Sequence, residues 1–205
     1  MSRVLAFRPP GHFPGPAWVK EFSDTARRLQ RERENASEEV EPLLSGTPRD
    51  RLSSLAERTE FRTCGALEHL GTIIENHLAA DPEYAEHLGA LAVSIAEELK
   101  PPMYPRIIIL QTRAHAWRRL GEARSAGGKH DQALEAFRTA ERILGDEPLA
   151  HDRAIVGLAL ARTYKCIGRH EEAKQLIARC RVILDDHGDI RGVLLADSIA
   201  SFTML

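Results

Sequence analysis

Two hexapeptides set the terms for this chain. Gly128-Lys129-His130-Asp131-Gln132-Ala133 and Gly168-Arg169-His170-Glu171-Glu172-Ala173 hold the same residue types in the same order, 173 − 133 = 40 positions apart. The match runs on after each alanine, with Phe137, Ala140, Ile143 and Leu144 answered by Ile177, Cys180, Ile183 and Leu184. Before each glycine, Trp117, Leu120 and Gly121 are answered by Gly157, Leu160 and Ala161. Apolar residues at helical steps on both sides of a glycine turn describe two amphipathic helices folded back on each other. A unit of that kind cannot bury its apolar face alone and must stack on a neighbour, so the chain is expected to be an all-α stack of antiparallel helix pairs, an α-solenoid.

The rest of the sequence reads as helix and turn. Residues 1–15 form a Pro/Gly-rich arm, in which Phe7 and Phe13 are the groups able to pin it to the body or to a neighbouring molecule. Pro16 suits the first turn of a helix carrying Trp18, Phe22, Ala26 and Leu29, and a short separate helix is expected from Glu38 to Leu44, ended by Ser45-Gly46. Thr47-Pro48-Arg49-Asp50 reads as a capped helix start, followed by an apolar stripe reaching Ala80 as one bent helix or two abutting ones. Asp81-Pro82 opens a helix that Lys100-Pro101-Pro102 stops. Ile107-Ile108-Ile109-Leu110 is apolar almost all round, which a helix from about Pro105 to Ala126, packed on two sides, explains. Helices at Asp131–Gly145, Ala150–Ile167 and His170–His187 follow, with a final apolar segment from Arg191 to Leu205. The expected organisation is an arm at 1–15, a divergent helical region at 16–100, and the repeats with their closing helix at 101–205.

The unit at 114–147 resembles the tetratricopeptide (TPR) repeat, with Trp117-x2-Leu120-Gly121, Ala133-x3-Phe137-x2-Ala140 and Pro148 near the place of the closing proline. Arg124 stands where the family has an aromatic, and is expected to loosen packing there. In the second unit Leu160-Ala161-x2-Tyr164 and Ala173-x3-Ile177 fit, with Gly157 in place of the Trp and the six extra residues placed in the Gly145–Asp152 linker. Gly121 and Ala133 are small so that paired helices can approach, while Trp117 and Phe137 fill the remaining space. Ala85, Gly89, Ala92 and Ile95 look like a worn earlier copy.

The resemblance implies a protein-interaction module, an adaptor or subunit of an assembly, whose first helices line a groove for a peptide or helix. Carried over position by position, it places His115, Arg118, Glu122, Arg162 and Lys165 on that face. Their cationic groups point to an acidic partner, although a Lys and Asn clamp for a C-terminal carboxylate is missing because Arg118 and Glu122 stand there. The alternative it implies is a bacterial regulatory TPR protein, sensing a peptide or controlling a transcription component.

Composition narrows the field further. Lys and Arg total 28 against 30 Asp and Glu, for a net charge of −2, so direct nucleic-acid binding is not expected. Three cysteines without a C-x-x-C pair, Cys64, Cys166 and Cys180, read as reduced, buried thiols. The N-terminal apolar run is too short for a signal peptide and no stretch is long enough for a membrane span, so a cytoplasmic protein is expected. H-E-x-x-H, G-x-x-x-x-G-K, G-x-G-x-x-G and G-x-S-x-G are all missing from the sequence. His130 beside Asp131 and His170 beside Glu171 are explained by helix starts, and no catalytic, metal or cofactor site is expected. Arg191–Leu205, apolar on more than one face, is the candidate surface for a homodimer.

Overall fold

The computed structural model describes residues 16–145 and 147–201, without the side chains of 16–19 and 21. Among the described residues eight α-helices run in order: α1 (Pro16–Ser45), α2 (Cys64–His77), α3 (Pro82–Glu98), α4 (Arg106–Ala126), α5 (His130–Leu144), α6 (Ala150–Cys166), α7 (His170–Asp186) and α8 (Ile190–Ser201). Two short 3₁₀ segments, Arg49–Glu57 and Thr59–Phe61, fill the interval before α2. Among the described residues there is no strand. The all-α expectation holds.

The helices pack in consecutive pairs and form two layers. From α2 onward, each helix lies against the next. In addition α2 touches α4, α4 touches α6 and α6 touches α8, so these four form an inner row, with α3, α5 and α7 outside it. α1 and the first 3₁₀ segment close the N-terminal end against α2 and α3.

One turn is used three times. Gly128, Gly168 and Gly188 take φ of +75°, +79° and +67°, a conformation that costs glycine nothing. At each, the glycine N–H donates three residues back and the next N–H donates five residues back: to Ser125 and Arg124, to Lys165 and Tyr164, and to Asp185 and Leu184. This arrangement satisfies the last carbonyls of the preceding helix and reverses the chain. The hexapeptides show two of the three. Gly188 comes 188 − 168 = 20 positions later, because it ends an outer helix rather than an inner one.

Three apolar clusters run along the stack: one under α1 to α4, one among α4, α5 and α6, and one among α6, α7 and α8. The apolar start of α4 joins the first two. Ile108 and Ile109 face the first cluster, Ile107 and Leu110 the second. That is the two-sided packing the four-residue run required. Phe137 is fully buried, which is worth about 1.5–3 kcal/mol. Gly89 lets α3 approach α4 so closely that a Cβ there would meet the Leu120 Cα at 3.0 Å.

Several expectations are corrected. Glu38–Leu44 is the continuation of α1 and not a separate helix; Ala36, Val40 and Leu44, at steps of four, hold it to the core, while Phe22 and Ala26 are exposed. Thr47 does not cap a helix. Its hydroxyl donates to the Leu43 carbonyl and closes the end of α1, and the segment after it is 3₁₀. The cap of α2 is Thr63, which accepts from the Ala66 N–H at 3.0 Å. Asp81 caps α3 as expected, accepting from Tyr84 N–H at 3.1 Å. Trp117 is only half-buried, with its indole N–H on Glu97 Oε1 at 3.2 Å. Arg124 tightens its neighbourhood instead of loosening it: its guanidinium reaches Glu86 on α3 and the Gln132 carbonyl on α5. The side chains of Phe7, Phe13, Trp18, Phe202, Met204 and Leu205, named in the sequence reading, lie outside the described residues.

Candidate functional site

A groove of about 320 Å³ crosses the C-terminal ends of the inner helices. Leu78 and Ala79 of the α2 end and Pro82 of α3 form one wall; Glu122, Ser125 and Ala126 come from α4; Ala159, Arg162, Thr163 and Cys166 come from α6. The sequence places these groups together because α2, α4 and α6 end at the same edge of the stack, where the glycine turns begin. Small side chains at 79, 126 and 159 keep the groove open. The Thr163 hydroxyl donates to the Ser125 hydroxyl at 2.9 Å and ties α6 to α4 beneath it.

Of the five residues expected on this face, Glu122 and Arg162 line the groove. The others do not. Arg118 is buried, and its Nη1 donates to Glu122 Oε1 at 2.6 Å. Arg119 holds the second oxygen of Glu122 at 3.0 Å and also reaches Glu75 on α2 at 2.8 Å. Burial alone would raise the Glu122 carboxyl, but the two guanidinium groups outweigh it and hold it below the ordinary value. Burial in turn lowers Arg118, whose Nε has no hydrogen-bond partner. His115 Nε2 lies 2.9 Å from Asp152 Oδ1, and Gln111 donates to the other oxygen at 3.0 Å. Lys165 donates to the Ile199 carbonyl of α8 at 2.6 Å. The reason is the layer itself. With α2 on one side of α4 and α6 on the other, the expected exposed face of α4 becomes an interface between inner helices, and its charges are used there.

Arg162 differs. It is exposed at the groove edge and makes no ion pair or hydrogen bond among the described residues. One turn on, Cys166 is also exposed, which corrects the expectation of three buried thiols; Cys64 and Cys180 are buried, and burial pushes both up to about 11. Arg119, Glu75, Ser125 and Thr163 carry no signal of their own in the sequence, since their roles come from contacts between helices about forty residues apart.

A larger, more open cleft of about 670 Å³ lies between α1 and the loop before α4. Its guanidinium groups are already engaged, Arg28 with Glu32 at 2.8 Å and Arg106 with Glu147 at 2.7 Å. On α8, Gly192, Ala196 and Ile199 pack inward and Ile190, Leu194 and Leu195 are exposed. Among the described residues no group of three or more His, Cys, Asp or Glu is placed to hold a metal ion, and no helix is long and apolar enough to cross a membrane.

No family model, curated protein or solved structure matches this chain.

Proposed function

We propose that this chain is a TPR-like protein-interaction module, an adaptor or subunit of an assembly, that holds a peptide or helix of another protein in the inner-helix groove without chemical turnover. The observation that carries this reading is the groove itself, a recess crossing three inner helices with a floor of small side chains. Its shape is set by elements fixed on both sides by packed cores, so a partner would meet a preformed surface and lose less ordering entropy on binding. The histidine–carboxylate pairs His115–Asp152 and His151–Asp189 link α4 to α6 and α6 to the residue before α8, a bracing role that needs no reaction to explain it.

The test is to fill the groove. Ala126 is exposed at its edge, so Ala126→Trp blocks the recess without disturbing a core. The expected outcome is loss of partner-peptide binding with unchanged helicity by circular dichroism. Binding that survives Ala126→Trp would place the partner elsewhere.

A further inference from the structure

Resting on the groove reading, we infer that the segment taken by the groove carries an aspartate or glutamate side chain, and that Arg162 is the residue that selects it. Two charged residues line the recess, Glu122 and Arg162. The charge of Glu122 is already spent. Both its oxygens are held, by Arg118 at 2.6 Å and by Arg119 at 3.0 Å, and the second carboxylate of that network, Glu75, balances the second guanidinium. Two cations and two anions cancel, which leaves the guanidinium of Arg162 as the uncompensated charge at the recess.

The helix ends do not reverse that sign. The C-terminal carbonyls of α4 and α6 that would attract a cation are taken by the N–H groups of Gly128, Lys129, Gly168 and Arg169. The N-termini of α3, α5 and α7 open at the same edge of the stack, and their partial positive charge offsets the carbonyl ends. A partner presenting a lysine or arginine would meet Arg162 unshielded, and the one carboxylate that lines the recess, Glu122, is already paired. A partner presenting a carboxylate obtains a planar, two-pronged donor with no internal competitor. The flanking lining of Leu78, Ala79, Pro82 and Ala126 suits apolar neighbours of that acid. The chemistry recognised is therefore an acidic side chain set among apolar ones, rather than a densely acidic tract, since His115, Arg118 and Lys165 are turned to internal partners.

A random-peptide phage library panned on the full chain and on its variants decides the matter. Peptides that bind the unaltered chain and are lost on Ala126→Trp define groove binders. Among these, we expect enrichment of Asp or Glu next to apolar residues. Binding should weaken about tenfold with Arg162→Glu, the scale of one charge-assisted contact, and weaken similarly when the acid is changed to its amide. Arg162→Lys should retain part of it. A library panned afresh on Arg162→Glu should return lysine or arginine at the same position. Arg162 is exposed and unpaired, so these variants keep the fold, as unchanged circular dichroism would report. If groove binders show no acidic preference, or bind Arg162→Glu as well as the unaltered chain, the inference is overturned while the groove reading stands. If no selected peptide depends on Ala126, the groove reading itself fails.

Discussion

Gly121 and Phe137 are matched to each other across the first helix pair: a Cβ on Gly121 would lie 2.7 Å from the ring Cε1. The ring is fully buried and cannot turn aside. Gly121→Ala is therefore expected to cost about 1–3 kcal/mol through overpacking. Phe137→Ala should cost about 3–5 kcal/mol through the cavity it leaves. Combining Gly121→Ala with Phe137→Leu should cost less than the sum of the two, because the smaller side chain makes room for the methyl. Urea denaturation of the four proteins in this cycle checks the coupling; strict additivity would mean that the two residues do not meet in solution as they do here.

The three cysteines should separate cleanly by reactivity. The thiolate is the reacting form, and burial holds Cys64 and Cys180 at about 11 while Cys166 lies open at the groove. With Ellman's reagent at mildly alkaline pH, one thiol of the folded chain should react promptly and all three of the sequence after unfolding. Cys166→Ser should abolish the fast phase. A fast phase that remains in that variant would show that one of the buried thiols is reached through local opening.

How far the sequence goes toward this structure depends on whether a feature is local. The glycine turns, the Asp81 cap and the proline stops are decided within a few residues, and these are placed correctly. Gly157 shows the limit. By alignment it replaces Trp117, and its cause lies across the pair, where a Cβ would meet Cys180 Sγ at 2.6 Å. Cys180 itself replaces Ala140, so from the first unit to the second the large residue on the inner helix gives way to a small one while the outer helix gains a larger side chain. Only the two together make sense. The residues expected on the groove face divide for a related reason, Glu122 and Arg162 lining it and His115, Arg118 and Lys165 not. Repeat position places Arg118 and Glu122 on the inner row, but whether an inner-row residue faces solvent or the next inner helix is decided by how tightly α2, α4 and α6 close up. Arg162, beside the Thr163–Ser125 tie but exposed at the groove edge, is the cation of that set that pairs with nothing among the described residues.

Arg118 and Glu122 form a buried pair with a second guanidinium close by. Removing one partner strands the other in a dry interface, so Glu122→Ala is expected to cost about 3–5 kcal/mol. The joint change Arg118→Met with Glu122→Leu should be far milder than Glu122→Ala alone, since no buried charge is then left over at that position. Chemical denaturation distinguishes these cases. A double variant as unstable as Glu122→Ala would show that the charges contribute net stability beyond satisfying each other.

Asp152 makes the brace between α4 and α6 dependent on pH. Burial by itself would raise its carboxyl, but hydrogen bonds from His115 and Gln111 outweigh burial and hold it below the ordinary value. A group depressed in the folded state contributes stability that is fully present above its unfolded value, about 3.9, and is lost as pH falls through the lower folded value. The unaltered chain should therefore lose stability progressively below about pH 4. Asp152→Asn cannot ionise, so it should be less stable at neutral pH and its stability should fall less steeply on acidification, the two curves converging at the acid end. His115→Ala removes one donor and should shift the acid limb part of the way. Denaturation midpoints taken across the acid range give the comparison directly, and parallel curves for the unaltered chain and Asp152→Asn would show that the brace between α4 and α6 contributes nothing to acid stability.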